Sequence, residues 1–221
     1  MTQTTTAENF LDFAIQANVL RFGTFQTKAG RASPYFFNAG LFHDGARLDR
    51  LGRFYAATLV DSQVPFDMLF GPAYKGIPLA ATTAIALSRD HGINIPFAYN
   101  RKETKDHGEG GTIIGAPLKG KVMVVDDVIS AGTSIRESVN WIQQAGATLA
   151  GVVIALDRQE RGTGTTSATQ EIASTHQVPV IAIARLADLI RLLGCDPANQ
   201  AHLQAIQAYR DRWGVDGSEN V

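Results

Sequence analysis

The sequence predicts an α/β protein with an open sheet of five parallel strands flanked by helices. Five short apolar runs lie at residues 67–70, 95–99, 122–125, 152–156 and 180–183. Most of them are apolar at consecutive rather than alternate positions, which is typical of strands covered on both faces in a parallel sheet. Helical patterns separate the runs, so strand and helix alternate along the chain.

The clearest helix lies between the third and fourth runs. Ile135, Val139, Ile142 and Ala145 recur at helical spacing, and Gly146 then ends the pattern. A strand, this helix and the next strand form one βαβ unit.

A second helix is predicted at residues 76–87, between the first two runs, with Pro78 in its first turn. The ends of the chain lie outside the alternation. We expect an N-terminal hood at about residues 1–45, an α/β core at about 46–185 and a C-terminal helical segment at about 186–213. Together they would form a single domain spanning residues 1–221.

Composition excludes several classes of protein. The 221 residues are 45% hydrophobic and 19% charged, as in ordinary globular proteins, and the formal net charge of -1 provides no basic field for nucleic acid. The single cysteine, Cys195, cannot form an intrachain disulfide. The start of the chain does not resemble a signal peptide, and no apolar run approaches the length of a membrane span. We therefore expect a cytoplasmic protein without membrane or nucleic-acid partners.

Two adjacent acids, Asp126 and Asp127, follow the third apolar run directly. Ligands of open parallel sheets bind beyond the carboxyl ends of the strands, so we expect both carboxylates to face ligand or solvent rather than the core. The small residues at 130–134 then lead into a helix, whose free backbone N–H groups and nearby hydroxyls can hold a phosphate. Because carboxylates repel a phosphate, we expect these two to face sugar hydroxyls or Mg2+. The pattern predicts a site for a phosphorylated sugar.

A purely structural interpretation remains possible for the same residues. The two acids could simply end a strand, while Ser134 and Glu137 form a capping box at the start of the helix. The cap and the ligand site are compatible with each other. The sequence contains neither G-x-x-x-x-G-K-[ST] nor G-x-G-x-x-G between a strand and a helix, which disfavours an enzyme that hydrolyses nucleoside triphosphates.

The apolar run, the two acids and the short Ala-Gly-Thr turn resemble the phosphoribosyl pyrophosphate signature of the type I phosphoribosyltransferases. Segments 28–38, 71–78, 101–111 and 156–161 further resemble the orotate phosphoribosyltransferases of that group. The resemblance extends from about residue 22 to residue 212. Ser130 stands where many members of the family have Thr, which keeps the hydroxyl and loses a methyl group.

The resemblance implies the type I phosphoribosyltransferase fold and a specific reaction. Orotate would be joined to the anomeric carbon of phosphoribosyl pyrophosphate, giving orotidine 5′-monophosphate and pyrophosphate in de novo pyrimidine (UMP) biosynthesis. It also implies Mg2+ carried by the substrate, possibly with Asp126 and Asp127 as ligands. The enzyme would be a homodimer in which loop 101–111 completes the neighbour's site.

Cations are needed where the leaving pyrophosphate gains negative charge. Lys75 lies in a predicted strand-to-helix turn, and the segment 101–111 carries further cations with three glycines that suggest a mobile lid, although a solvated surface loop is the alternative. The implied catalytic residues are Lys75, Lys105, His107, Asp126 and Asp127. The implied contacts to phosphoribosyl pyrophosphate are Lys28, Tyr74, Lys75, Arg101, Lys102, Lys105, His107, Asp126, Asp127, Val128, Ile129, Ser130, Ala131, Gly132, Thr133 and Ser134.

Orotate is a flat anion, so its pocket should combine aromatic walls with a cation and backbone donors. The implied contacts to orotate are Lys28, Phe36, Phe37, Ser130 and Arg158. On a strand Phe36 and Phe37 cannot face the same way, so we expect at least one of them to pack in the core. Arg158 could alternatively pair with Glu160 or Glu171.

Three other functions compete with this interpretation. A purine phosphoribosyltransferase would share the phosphoribosyl motif, which does not identify the base. A regulator that binds phosphoribosyl pyrophosphate and nucleic acid would need a basic surface or an extra domain, and the chain offers neither. A receiver-like domain would use an acidic pair for magnesium, but it would not need the cationic, glycine-rich segment.

Overall fold

The computed structural model describes residues 5–27, 30–102, 112–162 and 164–215. The helices and strands in chain order are α1 (Thr6–Gln16), β1 (Leu20–Gln26), β2 (Ala32–Phe37), α2 (Gly45–Ser62), β3 (Met68–Gly71), α3 (Gly76–His91), β4 (Phe97–Asn100), β5 (Ile113–Gly115), β6 (Lys121–Asp126), α4 (Thr133–Gln144), β7 (Thr148–Asp157), α5 (Ala168–His176), β8 (Val180–Arg185), α6 (Leu186–Gly194) and α7 (Gln200–Trp213). Short 3-10 turns lie at Ala39–Leu41 and Pro197–Asn199.

The central sheet confirms the five predicted parallel strands and adds a sixth. Its order is β5-β4-β3-β6-β7-β8. Strands β4, β3, β6, β7 and β8 are parallel to their neighbours, whereas β5 pairs with β4 in the antiparallel direction. With only three residues, β5 is too short to show a periodic pattern in the sequence.

Both faces of this sheet are covered, which explains the consecutive apolar residues of its strands. Along β6, Met123 and Val125 contribute to one apolar cluster, while Val122 and Val124 contribute to another. Helices α2 and α3 pack in the first cluster and α4 in the second. Successive strand side chains point to opposite faces, so a strand with both faces buried is apolar throughout.

The two predicted helices are confirmed with small changes at their ends. Ile135, Val139 and Ile142 are buried on α4, whereas Ala145 is its exposed C-cap. Gly146 follows with φ 72°, a left-handed conformation that glycine adopts readily. Helix α3 runs beyond the predicted residue 87 to His91.

The terminal segments pack on one face of the sheet. The predicted hood contains α1 and an antiparallel hairpin of β1 and β2, and the C-terminal segment contains two helices, α6 and α7. Phe10 of α1, Tyr35 of β2 and Leu203 of α7 belong to the same apolar cluster as Val125 of the central sheet. One core thus joins the hood and the C-terminal helices to the sheet. No helix within the described ranges has the length and apolar character required to cross a membrane.

Candidate active site

The carboxyl ends of β3 and β6 lie side by side at a switch point of the sheet. Met68 pairs with Val122 and Phe70 with Val124 in this parallel ladder. From β3 the chain continues through α3 to β4 on one side, whereas from β6 it continues through α4 to β7 on the other. Connections that leave in opposite directions open a crevice at the strand ends, where open α/β sheets bind their ligands.

The predicted pair of acids lies at this crevice, but both carboxylates are buried, contrary to our expectation. Asp126 is 7% exposed and Asp127 5% exposed. The Asp126 carboxylate accepts hydrogen bonds from the Asp127 backbone N–H at 2.9 Å and from the Ser134 hydroxyl at 3.0 Å. The hydroxyl of Tyr55 on α2 donates to the Asp126 carbonyl at 2.8 Å. These polar partners fix the acids at the end of β6 and shield them from solvent.

Lys75 spans the crevice between the two strand ends. Its Nζ donates to Asp127 Oδ2 at 2.6 Å, and its side chain is 51% exposed while that of Asp127 is 7% exposed. The salt bridge brings together two of the predicted catalytic residues that lie far apart in sequence. It also leaves part of the ammonium group accessible, since Lys has three N–H donors.

Burial raises the pKa of Asp126 to about 6, and the neighbouring charge of Asp127 acts in the same direction. The hydrogen bonds from Asp127 N–H and Ser134 and the charge of Lys75 oppose this shift. Raised pKa values of this kind are common at functional sites, where burial and like charges are brought together.

Because the pKa of Asp126 is raised, we expect Asp126→Asn to stabilise the protein at neutral pH. Because the folded-state pKa lies above the ordinary value of 3.8, the folded protein binds this proton more tightly than the unfolded chain. The free energy of unfolding therefore falls as pH rises from about 4 to about 6, and the penalty is complete above that range. Asn removes the charge and can keep both hydrogen bonds, since a serine hydroxyl also accepts. We expect the variant to be more stable by about 1–3 kcal/mol at pH 7.5.

Urea unfolding of wild type and Asp126→Asn at pH 4, 5, 6 and 7.5 measures this difference. The gain should shrink towards zero at pH 4, where wild-type Asp126 is itself protonated. A variant less stable than wild type at pH 7.5 would contradict the prediction.

The turn after the acids has the features of a phosphate cradle. Gly132 begins α4 with φ 68°, and no side chain in the described part of the protein caps this helix. The backbone N–H groups of the first helical turn are therefore available to a ligand. Ser130, Ala131 and Thr133 are exposed beside them. The alternative capping box is not formed, because Ser134 lies inside the helix and binds Asp126 instead.

Other residues of the turn hold its shape. Val128 packs against the apolar cluster on one face of the sheet and Ile129 against the cluster on the other, so their side chains anchor the turn. Arg136 donates to the Ala131 carbonyl at 2.6 Å, which places a further cation beside the cradle. A lone arginine on a helix gave no sequence signal for this role.

The turn between β3 and α3 is built by close backbone packing. A Cβ atom at Gly76 would approach the Val125 carbonyl oxygen at 2.9 Å and Pro72 Cδ at 2.5 Å, so only glycine lets this turn lie against β6. Buried Asn100 accepts from the Ala73 N–H at 2.8 Å and ties the turn to the end of β4. Tyr74 is 59% exposed, and Lys102 Nζ lies 4.9 Å from the centre of its ring.

The predicted cationic segment begins and ends at paired strands. Arg101 N–H donates to the Thr112 carbonyl at 2.7 Å, directly beyond the β4–β5 ladder. Lys105 and His107 lie outside the described residues, as does Lys28 between β1 and β2.

The predicted base-binding residues come from the hood and from the end of β7. Phe37 is 7% exposed and its ring centre lies 6.3 Å from that of Phe10, whereas Phe36 points to the other face and stacks on Phe25 at 5.4 Å. The two rings therefore face opposite ways, as expected for a strand. Arg158 follows β7 and pairs with Glu160 at 2.6 Å rather than with Glu171.

Several supporting residues escaped the sequence interpretation. Tyr55 and Arg136 each form a hydrogen bond with a residue of the predicted site, and Asn100 forms one with Ala73, next to Tyr74. Only Asn100 carried a usable signal, because it is a polar residue at the carboxyl end of an apolar strand. The contacts of Tyr55 and Asn100 join residues 71 and 27 positions apart and depend on the fold.

A metal cage made by the protein alone is not present among the described residues. No group of three or more His, Cys, Asp or Glu side chains there could hold a metal ion. Asp126 and Asp127 supply two carboxylates, of which one already binds Lys75. Mg2+ commonly uses one or two carboxylates together with substrate phosphates, so this donor set suits an ion that arrives with a phosphorylated substrate.

Comparison with known proteins agrees with this geometry. Residues 41–183 match the model of the phosphoribosyl transferase domain. The chain is 62% identical to the orotate phosphoribosyltransferase of Chromobacterium violaceum over 95% of its own length and 97% of that protein. It is 60% identical to that of Thiobacillus denitrificans over 93% and 97% of the two chains. The crystal structure of orotate phosphoribosyltransferase from Francisella tularensis superposes with a TM-score of 0.85 at 39% identity, covering 93% of this chain and 99% of that one. The chain therefore belongs to the orotate phosphoribosyltransferase family.

Proposed function

We propose that this protein transfers the phosphoribosyl group of 5-phospho-α-D-ribose 1-diphosphate to orotate, giving orotidine 5′-monophosphate and pyrophosphate in pyrimidine biosynthesis. The observation that carries the proposal is the crevice between β3 and β6. There a buried pair of acids lies between an uncapped helix N-terminus and the ammonium group of Lys75. In this order, the helix N-terminus suits the 5′-phosphate of phosphoribosyl pyrophosphate, the two acids suit its ribose hydroxyls, and Lys75 suits its pyrophosphate.

The 5′-phosphate would bind the N–H groups and hydroxyls of residues 130–134. The helix N-terminus favours negative charge, and Arg136 adds a cation nearby. Asp126 and Asp127 would accept hydrogen bonds from the ribose hydroxyls. A sugar held at both points has its anomeric carbon fixed, which lowers the entropic part of the barrier.

The reaction breaks the bond between the anomeric carbon and the pyrophosphate oxygen, and that oxygen keeps the electron pair. Positive charge develops on the sugar and negative charge on the leaving group, while a ring nitrogen of orotate forms the new bond to carbon and gives up its proton to water or to the leaving pyrophosphate. Lys75 is suited to the leaving group, because its side chain is half-exposed and its ammonium group is held at one point by Asp127. Arg101, Lys102, Lys105 and His107 would add donors to the same pyrophosphate, and preorganised cations stabilise such charge as it forms.

Mg2+ would enter with phosphoribosyl pyrophosphate, held by substrate oxygens with Asp126 and Asp127 as the available carboxylates. When bound, it would neutralise the pyrophosphate charge. The acids themselves orient the ribose hydroxyls, and Lys75 limits how much of Asp127 is left for the ion.

We further propose a cytoplasmic homodimer in which loop 101–111 completes the neighbour's site. The resemblance to the family supports this arrangement. The net charge of -1 agrees with small-molecule substrates rather than nucleic acid as the main partners.

An assay of base specificity tests the reaction. Orotate, uracil, adenine and hypoxanthine are offered separately with phosphoribosyl pyrophosphate and Mg2+, and pyrophosphate release is measured. We expect release with orotate alone. Turnover with a purine base and none with orotate would reject the proposal in favour of a purine phosphoribosyltransferase.

Arg158→Ala should weaken orotate more than phosphoribosyl pyrophosphate. The guanidinium is proposed to bind the carboxylate or ring oxygens of the base, and a hydrogen bond between charged groups contributes roughly 10- to 100-fold to affinity. The measurement is KM for each substrate at saturating levels of the other. Arg53→Ala, which removes an exposed arginine paired with Asp49 on α2, serves as the control and should change neither KM. Equal weakening of both substrates by Arg158→Ala would place this arginine outside the base site.

A further inference from the structure

A single carboxylate oxygen organises the residues around Arg158. Glu160 Oε1 accepts from Arg158 Nε at 2.8 Å and lies 2.6 Å from Arg158 Nη2. The Tyr35 hydroxyl donates to the same oxygen at 3.3 Å, and Arg158 Nη2 donates to the Ser33 hydroxyl at 3.1 Å. The guanidinium carbon lies 4.7 Å from the centre of the Tyr35 ring.

These contacts leave one end of the guanidinium for a ligand. Nε and Nη2 are both engaged, and within the described ranges no residue accepts a hydrogen bond from Nη1. The side chains of Arg158 and Glu160 are 20% and 15% exposed, while Ser33 and Tyr35 are almost fully buried. A guanidinium that stacks on a ring and binds a shared oxygen by one edge has little rotational freedom.

We propose that Glu160 is a positioning residue for base recognition, holding Arg158 so that its Nη1 end is presented to the carboxylate or ring oxygens of orotate. This inference rests on the proposed function, since it assumes that Arg158 binds the base. Glu160 itself would not touch the substrate. The contacts of Ser33 and Tyr35 place the hood strand β2 around the same arginine, next in sequence to Phe36 and Phe37.

Electrostatic attraction and positioning predict opposite results when Glu160 is removed. Glu160 neutralises Arg158 locally, so removing its carboxylate raises the net positive charge at the site. If attraction decided affinity, an anionic base would then bind more tightly. If orientation decides affinity, the freed arginine would bind the base more weakly, because part of the interaction must be used to order the side chain.

The test is steady-state kinetics of Glu160→Ala and Glu160→Gln. In Glu160→Ala we expect KM for orotate to rise about 10- to 100-fold, because Arg158 loses the carboxylate that holds it and with it the charge-assisted hydrogen bond to orotate. KM for phosphoribosyl pyrophosphate should stay within about threefold of wild type. Glu160→Gln keeps an acceptor oxygen and should recover part of the loss. Glu171→Ala removes an exposed glutamate on α5 and is the matched control, with no change expected.

A double-mutant cycle with Arg158→Ala separates positioning from a general structural effect. If Glu160 acts through Arg158, adding Glu160→Ala to Arg158→Ala should change KM for orotate by less than about twofold. Thermal unfolding of each variant identifies loss of structure. Should Glu160→Ala fail to fold, the isosteric Glu160→Gln carries the same comparison.

Each outcome separates this inference from the proposed function. Tighter orotate binding by Glu160→Ala, an unchanged KM for orotate, equal rises in both KM values, or full additivity with Arg158→Ala would overturn the positioning role. If Arg158→Ala itself affects both substrates equally, its role in base binding fails, and the role of Glu160 fails with it. Selective weakening by Arg158→Ala without any effect of Glu160→Ala would leave the function standing and reject only the inference.

Discussion

Asp127→Asn is expected to reduce turnover about 10- to 1,000-fold, which is the usual loss when one preorganised electrostatic contact is removed from a reaction site. Asp127 is the acid bound directly to Lys75, at 2.6 Å. The substitution removes the charge that orients this ammonium group and weakens the proposed contact to a ribose hydroxyl. Both effects act on the sugar and leaving group, so turnover should fall more than affinity for orotate.

The loss should not arise from unfolding. Asn has almost the same shape as Asp, and burial penalises a charged carboxylate rather than a neutral amide. Asp67→Asn is the matched control, because Asp67 lies at the amino-terminal end of β3, away from the crevice, where it accepts a hydrogen bond from Lys121 N–H at 2.7 Å. Pyrophosphate release gives turnover, and circular dichroism checks the fold. Wild-type turnover in the double variant Asp126→Asn, Asp127→Asn would contradict the role of both acids.

The sequence alone predicts the sheet, the two acids and the phosphate-binding turn, because each of these depends on a local pattern of residues. Strands with two buried faces are apolar at every position, as Val122 to Val125 are. The acids at the end of β6 and the small residues before α4 follow one another in the chain, so they can be recognised as one motif. The parallel direction of the strands then places them at a ligand-binding edge.

The other half of the site depends on contacts between distant residues. The salt bridge between Lys75 and Asp127 joins positions 52 apart, and the bond between Arg158 and Ser33 joins positions 125 apart. No periodic pattern encodes such pairs. The burial of Asp126 and Asp127 was also unpredictable from the sequence, because Tyr55 of α2, Lys75 before α3 and Ser134 of α4 meet around the strand end only in the folded protein.

The cationic segment begins and ends at the edge of the sheet, one strand away from the strand that carries the two acids. Its described ends, Arg101 and Thr112, are paired at the β4–β5 edge of the sheet, and β3 separates β4 from β6. In the proposed homodimer, Lys105 and His107 would act beside the Asp126 and Asp127 of the neighbouring subunit. A two-fold axis would make this exchange reciprocal, so that each dimer has two shared sites.

Mixing two impaired variants is expected to restore activity if the sites are shared. In a mixed dimer of Lys105→Ala and Asp127→Asn chains, one site carries both defects and the other carries neither. When equal amounts exchange at random, about half of the dimers are mixed and each has one sound site, so activity should recover to about a quarter of wild type. Each parent alone has two damaged sites. The measurement is pyrophosphate release before and after exchange, with mixed dimers identified by mass. If the segment serves its own subunit, every site keeps one defect, and the mixture will be no more active than the average of its parents.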